Sequence, residues 1–216
     1  ILLSESSTLP YLNSFEEVAL AEKLIEVHSW ADMARFAKTG GEINTIALRI
    51  ARAYTKKEKV AFCGYHGWSD WYLAANLADG SNLDGQLLPG LSPAGIPRAL
   101  KDTAIPFNYG KIDELKEIVS SNEGEIGVIM MEIARHSEPD IAFVQEVRQI
   151  ADDINAVLIF DEISSGFRSN AGGMHLNYNL EPDMITLGKA LGNGYPITAV
   201  LGKKDVMEYA KESFIS

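Results

Sequence analysis

Two short apolar runs lie in the second half of the chain, and charged residues follow each of them. Val157–Phe160 is followed directly by Asp161 and Glu162. Met184–Leu187 is followed by a glycine and then by Lys189. Uninterrupted apolar runs of this length are typical of strands buried on both faces of a sheet. Because ligands bind at the carboxyl ends of parallel strands, the pattern predicts a site where an acid and an amine meet.

The remaining pattern alternates between strands and helices. Further strands are predicted at Met33–Ala37, Lys59–Cys63, Ile126–Met131 and Ile197–Leu201. Helices are predicted from the capping box at Ser14 to about His28, over Ile43–Tyr54, from Ile112 to about Ser121, over Ile141–Asn155 and from Lys204. This alternation predicts an α/β fold, with a mostly parallel sheet between two layers of helices.

Glycines mark two segments that bear on ligand binding. Thr39, Gly40 and Gly41 stand between a predicted strand and a helix, where backbone N–H groups can hold an anion. A tight turn requires glycine at such a place as well, so both interpretations stay open. Residues 79–106 are rich in glycine and proline but retain apolar residues, which predicts a flap near the site.

Composition excludes several classes of protein. The chain has 216 residues, is 46% hydrophobic and carries a formal net charge of −11, which argues against a nucleic-acid partner. No run reaches membrane-spanning length, so no membrane partner is expected. The single cysteine forms no internal disulfide and suits a cytoplasmic protein. The chain begins at Ile1 without an initiator Met, and we expect it to be an incomplete polypeptide.

Other chemistries lack part of their motif. Asp161 and Glu162 after a strand suggest a nucleotidase, but that class also needs a GxxxxGK[ST] loop, which is missing. A GxGxxG fingerprint is missing as well, which disfavours a nicotinamide enzyme. The four histidines have no paired metal-ligand spacing, so no metal site is predicted. Ser164–Gly166 lacks the glycine pattern of a hydrolase nucleophile.

Several motifs together point to one family. Asp161–Arg168, Thr186–Ala190 and Gly192–Pro196 resemble motifs of the class III aminotransferases, which use pyridoxal phosphate, and look most like the glutamate-1-semialdehyde aminotransferase-like branch. Phe36–Arg52 and Tyr65–Gly67 match the same family in order. The resemblance covers almost the whole chain. It implies the large domain of fold type I pyridoxal-phosphate transferases.

The resemblance assigns the acid and the amine. Lys189 would form a Schiff base with the cofactor aldehyde and later carry a proton between substrate and cofactor carbons. A lysine does this when part of its amine is neutral, which burial and cationic neighbours promote. Asp161 would pair with the pyridine nitrogen and keep that nitrogen protonated.

Five further residues are assigned to the cofactor by the same resemblance. Gly40 and Gly41 would bind the phosphate through backbone N–H groups. Tyr65 would stack on the ring and Ile163 would press on the other ring face. Glu132 matches an acidic residue near the cofactor, and its alternative role is that of a buried partner for Arg135 or Arg168.

The chain departs from the family at two positions. Gly41 stands where many members have threonine, and Ile133 follows Glu132 where proline is common. The resemblance also implies an N-terminal segment and a C-terminal small domain that this chain lacks. We therefore divide it into residues 1–30, an N-terminal segment and helix, and residues 31–216, an incomplete cofactor-binding large domain.

The functional hypothesis is an aminotransferase or aminomutase that moves an amino group between an amine and a carbonyl. It would work as a homodimer on small-molecule amino donors and carbonyl acceptors, with pyridoxal phosphate as cofactor. The alternative is a truncated, non-catalytic fragment with the same fold.

Overall fold

Seven strands form one sheet in the part of the chain that the computed structural model describes, residues 14–134 and 137–213. They are β1 (Met33–Ala37), β2 (Lys59–Cys63), β3 (Ala104–Pro106), β4 (Ile126–Glu132), β5 (Val157–Asp161), β6 (Met184–Leu187) and β7 (Thr198–Gly202). Their order across the sheet is β1-β7-β6-β5-β4-β2-β3. β7 is antiparallel to both neighbours, and the other pairs are parallel. The predicted α/β fold with a mostly parallel sheet is confirmed.

Six α-helices lie in the same described residues. They are α1 (Phe15–Val27), α2 (Gly40–Thr55), α3 (Asp70–Leu73), α4 (Ile112–Ser121), α5 (Ile141–Asp153) and α6 (Lys204–Met207). Short 3₁₀ turns extend several of the connections, among them one over Lys189–Leu191. None of the helices within 14–134 and 137–213 is long and apolar enough to cross a membrane.

Alternate side chains of each strand pack into two separate cores. On β5, Leu158 and Phe160 lie in the core that includes residues of α1, α4 and α5. Ile159 lies in the other core, with residues of α2, α3 and α6. Because successive side chains point to opposite faces of a strand, an uninterrupted apolar run fills both cores. The three layers follow from this packing.

Helix α2 begins three residues earlier than the apolar pattern predicted. The Thr39 hydroxyl accepts a hydrogen bond from the Glu42 N–H at 3.3 Å, and the Glu42 carboxylate accepts one from the Thr39 N–H at 3.2 Å. This capping box fixes the helix start, so Gly40 and Gly41 are the first two helical residues. The glycine turn and the helix N-terminus are therefore one feature.

The glycine- and proline-rich segment is tied down by polar side chains. Gln86 accepts a hydrogen bond from the Gly64 N–H at 2.7 Å and donates one to the Phe107 carbonyl at 3.2 Å. Asn76 donates to the Leu91 carbonyl at 2.6 Å. The end of the segment forms edge strand β3, which the apolar pattern did not predict because it has only three residues.

Two smaller predictions differ from the structure. β7 runs one residue later than predicted, from Thr198 to Gly202. Val18, expected on the inner side of α1, is exposed, whereas Leu24 is buried as expected. The first turn of α1 extends beyond the core, so an apolar residue there gains no packing.

Asp183 links three strands at the edge of the sheet where the parallel strands β5 and β6 begin and the antiparallel strand β7 ends. Its carboxylate accepts hydrogen bonds from the Leu158 N–H (2.9 Å), from Lys203 (2.8 Å) and from Arg148 (2.8 Å). Burial raises the pKa of this carboxyl. The Leu158 N–H, Lys203 and Arg148 together lower this pKa by more than burial raises it, so the net shift is downward.

We expect Asp183→Asn to lower the free energy of unfolding at pH 7 by about 2 kcal/mol, because hydrogen bonds to a charged group are lost. A carboxyl with a lowered folded-state pKa stabilises the fold above its unfolded pKa and loses that effect as the pH falls. The difference between wild type and variant should thus narrow below about pH 4. Urea titrations over a pH series measure this difference. Glu123→Gln, at an exposed carboxylate, should change stability by less than about 0.5 kcal/mol. A pH-independent difference would contradict the assignment.

Candidate functional site

A cavity of about 630 Å³ opens at the carboxyl edge of the sheet, and all seven candidate residues line it. They are Gly40, Gly41, Tyr65, Glu132, Asp161, Ile163 and Lys189. The last residues of β4 and β5, Glu132 and Asp161, are register partners, and Asp161 pairs with Thr186 of β6 on its other side. Asp161 and Lys189 therefore line one cavity at this edge of the sheet.

Asp161 is 3% exposed and is held by three donors. Its Oδ2 accepts hydrogen bonds from Asn44 Nδ2 at 2.7 Å and from His66 Nδ1 at 2.8 Å. Its Oδ1 accepts one from the Ile163 N–H at 3.0 Å. A buried carboxylate requires such partners, since an unpaired one costs several kcal/mol. The side chain is thus fixed at the cavity wall.

Asn44 and Thr186 also belong to this site, although neither was among the residues predicted for it. Asn44 is buried on the inner face of α2, next to the apolar Ile43 and three residues before Ala47. A polar residue inside an apolar stripe was the available signal, because it must find a hydrogen-bond partner in the core. That partner set includes Thr186, whose hydroxyl donates to Asn44 Oδ1 at 2.8 Å.

The N-terminus of α2 forms one end of the cavity. The N–H groups of Gly40 and Gly41 have no acceptor among the described residues. Gly67, at φ +104°, lies so close that a Cβ there would be 2.8 Å from the Gly41 Cα. The absence of side chains at this contact brings the backbone after β2 against the helix start. Free N–H groups at a helix N-terminus favour an anion.

Glu132 holds the backbone of Tyr65. Its Oε2 accepts a hydrogen bond from the Tyr65 N–H at 3.0 Å. A Cβ on Gly64, which has φ +113°, would lie 2.5 Å from that oxygen, so glycine is required for the contact. The Tyr65 ring packs edge to face on Tyr72, with ring centroids 5.6 Å apart. Arg135, one suggested partner of Glu132, lies outside the described residues.

Lys189 occupies the open side of the cavity. Its side chain is exposed, and its Nζ donates a hydrogen bond to Ser164 Oγ at 2.6 Å. The residue has φ +41°, which is uncommon for a residue other than glycine. Burial was expected to activate the Lys189 amine. Among the described residues, none covers this side chain enough to bury it.

A second buried cluster lies behind the site, around Glu162. Its carboxylate accepts hydrogen bonds from His175 Nδ1 at 2.6 Å and from Ser165 Oγ at 3.0 Å. Trp30 Nε1 donates to His175 Nε2 at 2.9 Å, so Nδ1 carries the hydrogen that is donated to Glu162. Burial raises the pKa of Glu162, but the contacts with His175 more than offset this and the net shift is downward. The cluster joins the chain before β1 to the segment after β5.

The cluster also accounts for two histidines that are distant in sequence. His28 and His175 stack with ring centroids 5.5 Å apart. His28 Nδ1 lies 2.8 Å from the Leu24 carbonyl, and its Nε2 accepts a hydrogen bond from the Gly173 N–H at 3.2 Å. Burial lowers the pKa of His28, which favours the neutral ring that this geometry requires. Both rings therefore serve packing and hydrogen bonding.

Comparison with known proteins identifies the family. The model of the family "Aminotransferase class-III" matches residues 5–213. The chain belongs to the class III aminotransferases. The motifs after β5 and β6 therefore indicated the correct family, and the fold is that of the fold type I large domain.

Relatives of established name include both transferases and mutases. The chain is 37% identical over 204 residues to the 3-aminobutyryl-CoA aminotransferase of Cloacimonas acidaminovorans, covering 91% of this chain and 45% of that protein. It is 34% identical over 203 residues to the glutamate-1-semialdehyde 2,1-aminomutase of Ignicoccus hospitalis, covering 91% of this chain and 47% of that protein. The chain thus spans about half the length of these relatives.

A solved structure shares the fold over nearly the whole of this chain. The FumI protein of Sphingopyxis sp. MTA144, solved in its PLP internal aldimine form, superimposes with a TM-score of 0.80 at 26% identity. The match covers 94% of this chain and 47% of that one. The aminotransferase fold is therefore shared well beyond the motifs.

We expect Gly67→Ala to destabilise the protein more than Gly194→Ala. Both glycines have φ near +105° (+104° and +109°), so a side chain strains each backbone by about 1 to 2 kcal/mol. Only at Gly67 would the Cβ also collide with the backbone of α2, which adds about 1 to 3 kcal/mol. Thermal and urea unfolding of the two variants measure the difference. Equal losses would show that the close contact with Gly41 is unimportant.

Proposed function

We propose that this chain is the cofactor-binding large domain of a pyridoxal-phosphate-dependent aminotransferase or aminomutase. Lys189 provides the amine that anchors the cofactor, and Asp161 binds the pyridine nitrogen. The observation that carries the proposal is the single cavity lined by Gly40, Gly41, Asp161 and Lys189. An anion site, a buried carboxylate and an amine are the three groups that this cofactor needs.

The two ends of the cavity fit the two ends of the cofactor. The phosphate fits the free N–H groups of Gly40 and Gly41 at the start of α2. Asn44, which holds Asp161, lies in the following turn of the same helix, about 5 Å further along its axis. One helix therefore sets the spacing between the phosphate end and the nitrogen end.

The walls between these ends fit a flat ring. Tyr65 and Ile163 both line the cavity and are half-buried. Tyr65 offers an aromatic face, and Glu132 fixes the position of its backbone. Ile163 offers an apolar surface two residues after Asp161. The role that we assign to Glu132 is to position Tyr65.

The residues of the chain then have separate tasks. Bound pyridoxal phosphate supplies an aldehyde and an electron-accepting ring. Asp161 keeps a proton on the ring nitrogen, because its carboxylate accepts that hydrogen bond. Lys189 provides the nucleophilic amine and, once free again, takes and returns the proton at the substrate carbon. Ser164 orients the amine through its hydroxyl, which accepts the lysine hydrogen bond.

We expect Lys189→Ala to abolish turnover and the visible absorption that pyridoxal phosphate acquires when an amine of the protein binds its aldehyde. The full-length protein should be titrated with the cofactor and its spectrum recorded, followed by assays with several amino donors. Lys204→Ala, at an exposed lysine of α6, serves as the control and should keep both properties. Unchanged absorption in Lys189→Ala would contradict the proposal.

The second candidate function is a fragment that binds without turnover. The exposure of Lys189 in the described chain favours it, because burial activates a lysine amine as a nucleophile and the described residues do not provide that burial. Assays with assorted amino donors on residues 1–216 and on the full-length protein separate the two. Activity in the longer protein alone would mean that further chain completes the site.

We infer further that two copies of the protein assemble over the cavity. Four exposed apolar side chains at or beside the cavity form what we term the mouth patch: Trp68, Leu87, Leu88 and Tyr195. Trp68 is 78% and Tyr195 72% exposed. Exposed apolar patches mark interaction sites. A second copy would also bury Lys189.

We expect Trp68→Ser to weaken self-association by about 30-fold, the effect of losing one central aromatic from an interface. Sedimentation velocity over a concentration series measures the dissociation constant. Tyr54→Ser provides the control, since Tyr54 is exposed near the other end of α2, away from the cavity. A monomeric wild type, or equal effects of the two substitutions, would contradict the assembly.

A further inference from the structure

The hydrogen bonds around Asp161 distinguish its two oxygens. We propose that Asn44 and His66 are positioning residues, which occupy Oδ2 of Asp161 and thereby reserve Oδ1 for the ring nitrogen of the cofactor. The proposal rests on the function proposed above. It adds two residues, and the choice of oxygen, to the binding of the ring.

The acceptor capacity of the carboxylate leads to this choice. A carboxylate has about four acceptor positions, two on each oxygen. On Oδ2 both are taken, by Asn44 Nδ2 and by His66 Nδ1. On Oδ1 the Ile163 N–H takes one. The fourth position, on Oδ1, is the one left for a ligand in the cavity that Asp161 lines.

Asn44 can present only its amide nitrogen to Asp161. Its Oδ1 accepts the hydrogen bond from the Thr186 hydroxyl at 2.8 Å, and its Nδ2 also lies 3.3 Å from the His66 carbonyl. A flipped amide would place its oxygen against a carboxylate oxygen and against a carbonyl oxygen. Thr186 is fully buried and pairs with Asp161 across the strands, so the arrangement is fixed by β6.

His66 is equally constrained. Its Nδ1 faces Asp161 and its Nε2 lies 3.2 Å from the Cys63 carbonyl, so both ring nitrogens face acceptors. The ring is buried and stacks on Trp71 with centroids 6.1 Å apart, which prevents it from turning away.

The two donors to Oδ2 affect how the ring nitrogen of the cofactor binds, and not how its phosphate binds. With Oδ2 held by two donors, the carboxylate cannot rotate, and Oδ1 keeps one direction for accepting a hydrogen bond. Removal of either donor leaves Oδ2 free to compete and lets the side chain turn. Binding of the ring nitrogen then weakens, whereas the phosphate contacts at Gly40 and Gly41 are unaffected.

The test compares two cofactors in the full-length protein: pyridoxal phosphate and its analogue in which C–H replaces the ring nitrogen. Dissociation constants are measured for wild type, Asn44→Leu and His66→Leu, and the ratio between the two cofactors gives the preference for nitrogen. We expect that preference to fall about tenfold in each variant, the effect of losing one hydrogen bond to a charged group. His66→Asn should restore it, since the asparagine amide nitrogen can replace Nδ1.

A milder pair of variants keeps the test valid if the leucine variants do not fold. Thr186→Val removes the hydroxyl that orients Asn44 and should reduce the preference, while Thr186→Ser keeps the hydroxyl and should retain it. Unfolding temperatures of the cofactor-free variants verify that they are folded.

The outcomes separate the two proposals. Equal loss of affinity for both cofactors in Asn44→Leu and His66→Leu, with the preference intact, would mean a merely structural role and would overturn this inference. A wild type that binds neither cofactor would overturn the proposed function. A wild type that binds both with equal affinity would overturn the pairing of Asp161 with the ring nitrogen, and this inference with it.

Discussion

A buried carboxylate that needs hydrogen-bond donors from several elements is the constraint on which the rest of the site depends. Asp161 ends β5 inside the protein, where an ionised group without partners would cost several kcal/mol. Its side-chain donors, Asn44 and His66, come from α2 and from the segment after β2, and Thr186 of β6 fixes the first of them. These elements can satisfy the carboxylate only when they are packed in one arrangement. The same arrangement brings the start of α2 and Lys189 to the cavity.

Close backbone contacts make this arrangement possible. The segment after β2 turns twice through glycines with positive φ, first at Gly64 against Glu132 and then at Gly67 against Gly41. A side chain at either position would separate the elements that carry Tyr65, His66 and the helix N-terminus. The parallel strands bring the residues of the site to one edge of the sheet. The two glycines then allow the backbone that carries Tyr65 and His66 to pack closely against its neighbours.

The sequence was informative where one pattern determines the structure. The apolar runs that end at Asp161 and Lys189 gave the strands, the parallel sheet and the edge where the cavity lies. Contacts between distant segments were not accessible in the same way. Asn44 was missed because it looks like one polar residue in an amphipathic helix, and its role depends on Thr186, far along the chain. The start of α2 was misplaced because glycine is a poor helix former, although Thr39 and Glu42 have the same capping-box spacing that located the start of α1.

The exposed state of Lys189 shows how far one chain determines the site. The cavity is lined by residues of α2, β4, β5 and β7, yet its open side carries the amine of Lys189 and the mouth patch. A crystal structure of the full-length protein with pyridoxal phosphate tests the central claim most directly. The account predicts the phosphate on the N–H groups of Gly40 and Gly41, the ring nitrogen within hydrogen-bond distance of Asp161 Oδ1, and density joining Lys189 Nζ to the cofactor. A cofactor with its phosphate elsewhere, or with its ring nitrogen turned away from Asp161, would contradict it.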